Sequence, residues 1–200
     1  PPLLRQQVKS IVPKAGERWL AYLTHFRLSE DIMNWSNANP DVKLDCFWDN
    51  PARKETYHYS DSLTFHPIDA ENYLAKMTEC AGLISTAGFE SVAEAMYLGK
   101  PAMMVPVPNH IEQMINAFDG EMSGAGIGAS SFDLSIFKKY LPSHVSVQNQ
   151  YQEWVAKSQS LMAGHLSELI AQPVYVANFR ENQGTGLSGM LGRRRFRWSR

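Results

Sequence analysis

Short apolar runs alternate with stretches of helical spacing along most of this chain, and that alternation limits the folds open to it. "RWLAYLT" (18–24), "VKLDCFWD" (42–49), "SLTFHPI" (62–68), "GLIS" (82–85) and "AMMVPV" (102–107) read as buried strands. Between them lie helical patterns at 29–40, 70–80, 90–99 and 110–124, and a short "GIGAS" follows. Strands of this length separated by helices of ten to fifteen residues mark βαβ units and a parallel sheet. The fold class expected is α/β, a Rossmann-like doubly wound parallel sheet with helices on both faces.

Local signals refine the elements. Ser29 stands where an N-cap belongs, and the helix it opens must stop before Pro40. Gly99 is placed as a helix C-cap ahead of Pro101. Asn109 and Glu112 have the spacing of a capping box. In the helix after it, Gln113 and Asn116 share one face, and Ile111, Met114, Ile115 and Phe118 are assigned to the core. A stripe from Val147 through Tyr151, Trp154, Val155, Leu161, Met162, Leu166 and Leu169 to Ile170 reads as a covering helix.

Two hundred residues with 44% hydrophobic content suit one well-buried core. Residues 1–16 read as an interdomain connector, 17–175 as the domain and 176–200 as a C-terminal tail. A net charge of −1 gives no electrostatic case for nucleic acid as a partner. The exception is local, because "GRRRFRWSR" at 192–200 carries five arginines. That run reads as a solvated tail before a contact with a membrane or an acidic partner. Cys46 and Cys80 make neither a disulfide framework nor a metal cluster, so a reducing, cytoplasmic setting is expected. No run is long enough to span a membrane, and the start has no signal-peptide pattern.

The chemistry concentrates in "LISTAGFESVAEAMYLGKPAMMVPV", where a strand breaks at Ser85-Thr86-Ala87-Gly88 and a helix starts at once. Ligands of open parallel sheets bind outside the carboxyl ends of the strands. The unpaired N–H groups of a helix's first turn favour an anion such as a phosphate. Thr86, Gly88, Phe89, Glu90 and Ser91 are the candidates there, although Gly88 reads equally as a plain strand-to-helix turn. Glu94, one turn beyond Glu90, suits a ribose diol because a carboxylate accepts two hydroxyls. Glu112 and Gln113, at the next helix start, suit the hydroxyls of a sugar.

Together, "TAGFESVAEAMYLGKPAMMVPVPNHIEQMINA" resembles the donor-binding half of GT-B-type, nucleotide-sugar-dependent glycosyltransferases, such as UDP-glycosyltransferases and the peptidoglycan lipid-intermediate GlcNAc transferase. The resemblance implies a UDP-sugar donor with no cofactor or metal, its diphosphate on Thr86 to Ser91, its ribose on Glu94 and its sugar near Glu112 and Gln113. It also implies an N-terminal acceptor-binding domain in the same enzyme that carries the catalytic base, so that this chain alone does not turn over. His25 and Arg27, at the end of the first strand, are weaker candidates for a phosphate or sugar contact. The uracil-binding loop falls near "FHPID", with Phe65, His66 and Ile68. Two departures stand out: Thr86 occupies a position that is histidine in many plant members, and Glu90 one that is commonly neutral. A carboxylate beside a diphosphate is unfavourable, so Glu90 is expected to point away. A peripheral place at the inner membrane face is compatible with the resemblance. A binding-only module and a non-hydrolysing UDP-sugar 2-epimerase share this architecture. The epimerase ranks lower because "PNHIEQMINA" stands where a Thr-Glu-Arg-Pro-like stretch is typical. A dinucleotide oxidoreductase is disfavoured because "THFRL", not Gly-x-Gly-x-x-Gly, follows the first strand.

Overall fold

The computed structural model of the chain describes residues 4–171. Its centre is a seven-stranded sheet in the order β3-β4-β2-β1-β5-β6-β7. The strands are β1 (Trp19–Leu23), β2 (Leu44–Trp48), β3 (Tyr57–His58), β4 (Leu63–Pro67), β5 (Gly82–Ser85), β6 (Ala102–Met104) and β7 (Gly126–Gly128). All neighbours pair in parallel except β3, an antiparallel edge strand formed within the polar stretch between β2 and β4. The chain builds outward from β1 to β2 and β4, then returns to the other side of β1 with β5, β6 and β7. That reversal is what doubly wound means, and the expected fold class holds.

The pleat divides the core between two helical layers. Leu20, Phe47 and Leu83 point to one face, where they meet α3 (Ala70–Glu79) and α4 (Phe89–Tyr97) through Tyr73, Met77, Val92 and Ala95. Trp19, Ala21, Cys46, Phe65 and Ile84 point to the other, where α2 (Ser29–Ala38) and α6 (Leu134–Tyr140) bring Ile32, Trp35 and Phe137. Each large apolar side chain buried in this way contributes roughly 1.5–3 kcal/mol. Cys46 and Cys80 are buried free thiols.

Three local expectations change. Ser29 does not cap α2: a 3-10 turn at Phe26–Leu28 precedes it, and its hydroxyl donates to the Phe26 carbonyl at 2.6 Å. The N-cap of α5 (Ile111–Met122) is His110, whose Nδ1 accepts from the Gln113 N–H, so Asn109 and Glu112 form no capping box. The long C-terminal stripe breaks into α7 (Gln148–Ala156) and α8 (Ser158–Ala171). In α7, Val155 is buried, and Val147 just ahead of the helix and Tyr151 within it pack on the core. No residue of α8 is buried. Contacts divide the chain into two compact units, one up to Met162 and one from Ala163. The proposed tail at 176–200 lies outside the described residues.

Residues 4–16 are stitched to the sheet-bearing unit. Val8, on the short helix α1 (Gln6–Ser10), is fully buried, and the Lys14 N–H donates to Thr78. Lys100 closes this seam from within. Its buried Nζ donates to the carbonyls of Lys14 at 2.5 Å and Cys80 at 2.8 Å, and burial holds its ammonium below the usual lysine range. Lys100→Met leaves both carbonyls without their donor, so a loss of about 2 kcal/mol is expected. A lower urea midpoint at unchanged slope is the measurement that checks it.

Candidate functional site

The strand order reverses between β1 and β5, and ligands of open sheets bind at such a switch point. Thr24–Leu28 after β1 and Thr86–Ser91 after β5 therefore lie at the same crevice, with the β6–α5 turn beside them.

At the end of β5 the backbone is strained and the side chains are underused. Ala87 has φ 59°, a left-handed conformation that costs a non-glycine residue roughly 1–2 kcal/mol. Ser85 and Thr86 are buried, and neither hydroxyl has a hydrogen-bond partner among the described residues. Orphaned hydroxyls in a native fold call for a physical explanation, and a ligand is one. Gly88 is the N-cap of α4, and no side chain caps the helix there. Its φ of −68° is open to any residue, so conformational freedom is not the reason for a glycine. Nor does the fold crowd it: a Cβ added at Gly88 would meet nothing among the described residues within 4 Å. The front of the helix is thus open, with the N–H groups of its first turn free to receive an anion. Phe89 and Glu90 are exposed and Ser91 is half-buried. Glu90 lines an apolar groove of about 580 Å³ between α4, α5 and α7, with Phe89, Asp119 and Trp154.

Glu94 is 3% exposed, on the same helix. Arg5 grips it as a fork: Nε donates to Oε1 at 2.6 Å and Nη2 donates to Oε2. Nothing in the sequence pattern around residue 5 predicted this partner, because the two residues are 89 positions apart.

The β6–α5 turn also carries a left-handed non-glycine residue, Asn109 with φ 65°. Here the face assignment for α5 is overturned. Gln113, Ala117 and Gly120 are buried, whereas Ile111, Met114, Ile115 and Phe118 are exposed. Small residues win the inner face because α5 approaches β6 closely: a Cβ at Gly120 would fall 2.4 Å from the Met104 sulfur. The amide side chains win it because they satisfy strained loops. Gln113 Oε1 accepts from the Val107 N–H at 2.8 Å, and Asn116 Nδ2 donates to the Ala87 carbonyl at 3.1 Å. Asn116 thus ties α5 to the loop after β5, a role the sequence did not reveal. Glu112 stands exposed in the first turn of α5.

The weaker candidates separate. His25 caps the 3-10 turn after β1 by accepting the Arg27 N–H, and both side chains are exposed at the crevice end. Ile68 is 50% exposed just beyond β4. Phe65 is fully buried against Trp48, with ring centroids 4.0 Å apart, so it is a core residue. His66 is buried, stacked on Phe47, with Nε2 2.7 Å from Asp45 Oδ1 and Nδ1 3.5 Å from Thr56. Both of its ring nitrogens already have protein partners.

Among the described residues no group of three or more His, Cys, Asp or Glu is placed to hold a metal ion. None of the described helices is long and apolar enough to cross a membrane.

Comparison with known proteins agrees with this geometry. Over 92 residues the chain is 33% identical to the UDP-N-acetylglucosamine–N-acetylmuramyl-(pentapeptide) pyrophosphoryl-undecaprenol N-acetylglucosamine transferase of Lactobacillus acidophilus, which is 44% of this chain and 25% of that protein. With the same enzyme of Lactobacillus delbrueckii subsp. bulgaricus it shares 35% over 79 residues, 38% of this chain and 21% of that one. The chain thus spans about a quarter of the length of these curated relatives. The fold matches the glycotransferase of kitacinnamycin, at a TM-score of 0.54 and 15% identity over 85% of this chain and 47% of that one. It also matches SnogD from Streptomyces nogalater, at 0.51 and 15% over 76% and 41%. A family model described as glycosyl transferase family 1 matches residues 1–143. A half GT-B fold, an open helix N-terminus at its switch point and that match lead to one conclusion: the chain belongs to glycosyl transferase family 1, as a GT-B-type glycosyltransferase domain.

Proposed function

We propose that this domain binds the donor of a glycosyl transfer, a UDP-sugar. The diphosphate sits on the backbone and hydroxyls from Thr86 to Ser91, the ribose on Glu94 and the transferred sugar beside Glu112 and Gln113. His25, Arg27 and Ile68 line the rim of the same crevice. The observation that carries this reading is the open front of α4: an uncapped helix start at a switch point, with nothing before Gly88 and two unpartnered hydroxyls behind it. The UDP-N-acetylglucosamine named for the two Lactobacillus transferases supports uridine as the base.

The reaction that suits such a site is direct displacement. An acceptor hydroxyl attacks the anomeric carbon and loses its proton to a base. The bond from that carbon to the diphosphate breaks, its electron pair leaves on the phosphate oxygen, and the sugar inverts. As negative charge builds on the leaving diphosphate, the N–H groups and dipole of α4 stabilise it, and no metal is required there. Acceptor and base come from an N-terminal domain of the same enzyme, and the present chain binds donor without turning it over. The setting is cytoplasmic, peripheral to the inner membrane face.

Gly88→Ala separates this reading from a purely structural turn. The backbone angles accept alanine and the space is empty, so stability should change by under about 1 kcal/mol. The added methyl stands in the path of the diphosphate, and UDP binding measured by calorimetry should weaken at least about tenfold, or about 1.4 kcal/mol. Unchanged UDP affinity in this variant, or no UDP binding by the parent chain, would remove the proposal.

A further inference from the structure

The carboxylate that the donor reading gives to the ribose is not free. Arg5 holds both of its oxygens, one from Nε and one from Nη2, while Arg5 Nη1 reaches the Ala70 carbonyl at 3.4 Å. The Glu94 side chain is 4% exposed and that of Arg5 35%. Of the pair, Arg5 is therefore the member that faces water. The segment carrying it is anchored next to this contact, because Val8 of α1 is fully buried in the core cluster that contains Ala95 and Met96. A sugar diol that takes both carboxylate oxygens must displace Arg5 from them.

Withdrawal is an exchange of donors. Arg5 brings two N–H groups to two carboxylate oxygens, and a ribose brings two O–H groups, on C2′ and C3′. Arg5 is already one-third exposed and regains water when it leaves. The exchange is balanced only when the ligand replaces both bonds. A 2′-deoxyribose supplies one hydroxyl and leaves one buried carboxylate oxygen without a donor, which is disfavoured more strongly for an ionised group than for a neutral one.

We propose that Arg5 is a specificity-determining residue of the donor site, exchanged for the ribose 2′,3′-diol, so that the domain selects ribonucleoside diphosphates over their 2′-deoxy counterparts. This rests on the donor reading above and adds to it the sugar of the nucleotide and the residue that enforces it. Arg5 acts through Glu94 and is displaced; it is not a contact that the bound donor retains.

The test is calorimetry with UDP and 2′-deoxy-UDP, which share base and diphosphate, on the 200-residue chain and its Arg5→Ala and Arg5→Lys variants, with thermal melts to confirm folding. The parent chain should prefer UDP at least about tenfold, equivalent to about 1.4 kcal/mol. In Arg5→Ala, water can share the carboxylate, so 2′-deoxy-UDP should gain most and the preference should fall below about threefold. Arg5→Lys keeps a cation with N–H donors and should restore much of the preference. A second readout needs no variant to bind. The Nε–H resonance of Arg5, identified by its loss in Arg5→Lys, should be protected in the free chain and lose that protection at saturating UDP.

Equal binding of the two nucleotides by the parent chain, a preference unchanged in Arg5→Ala, or an Nε–H still protected with UDP bound would each overturn the role of Arg5 while leaving the donor reading intact. Absence of UDP binding to the parent chain would overturn the two together. Should Arg5→Ala fail to fold, the parent preference and the resonance decide the question.

Discussion

Glu94→Ala is expected to weaken UDP binding by about tenfold, or about 1.4 kcal/mol, while leaving a folded domain. On the donor reading the variant loses two charge-assisted hydrogen bonds from the ribose, each worth roughly 1.5–3 kcal/mol. Most of that is offset in the parent by the two bonds that Arg5 gives up, so only the remainder is read as affinity. Stability should suffer less than a fully buried pair implies. Removing one member of a fully buried ion pair costs about 3–5 kcal/mol, because the other charge is stranded. Arg5 is not stranded, since its side chain is 35% exposed and can turn to water. Calorimetry on Glu94→Ala and the isosteric Glu94→Gln, beside thermal melts, separates the two effects. UDP affinity within threefold of the parent in both variants would remove Glu94 from the site.

The second large effect lies on the other side of the sheet's chemistry. Asp45 is a carboxylate inside β2, a strand buried along its whole length. Arg18 Nε donates to its Oδ2 at 2.6 Å, His66 Nε2 lies 2.7 Å from Oδ1, and Lys76 Nζ lies 3.3 Å from the same oxygen. Burial alone would push its pKa up, but the hydrogen bonds from His66 and Arg18 and the charges of Arg18 and Lys76 outweigh it and hold the carboxyl well below the usual range. In Asp45→Ala the buried His66 loses its acceptor, whereas Arg18 and Lys76, with side chains 40% and 37% exposed, can turn to water, so a loss of about 1–3 kcal/mol is expected. For a unit of this size that is a fall in melting temperature on the order of 5 °C.

The pH dependence has a definite sign. Because the folded carboxyl is the stronger acid, its contribution is complete above the unfolded value of about 3.9 and is lost as pH falls below it toward the folded value. The unfolded chain binds the extra proton in that window. Acid unfolding of the parent should therefore be steeper below about pH 4 than that of Asp45→Ala. Parallel acid transitions in the two proteins would show that the network is not what stabilises β2.

The layout of the sheet and the place of the candidate loop at its switch point were legible in the residues. Strands with a period of two, helices with a period near four, and Gly99 at φ 70° after α4 follow from local rules that hold wherever the segment sits. The strand-to-helix break at Thr86–Ser91 lies at the switch point for the same reason: a parallel sheet places every such loop at one end.

Face assignments failed where packing distance overrode hydrophobicity. Ile111, Met114, Ile115 and Phe118 form a plausible buried stripe by periodicity, yet only Ala117 and Gly120 are small enough for α5 to approach Met104. Gln113 and Asn116 went inside because Val107 and Ala87 expose backbone groups that need partners. Capping failed similarly, since Asn109 and His110 compete for one position and the left-handed turn at Asn109 gives it to His110.

By itself, then, the sequence determined the α/β class, the strand and helix order, and the strand-to-helix loop that stands at the switch point, because these depend on neighbours in the chain. Only the tertiary structure decided which side chains hold one another there. Arg5 on Glu94, His66 on Asp45 and Asn116 on Ala87 are separated by 89, 21 and 29 positions. Long-range pairing of polar groups is set by which buried donors and acceptors the folded backbone leaves to be satisfied, and no local pattern records that.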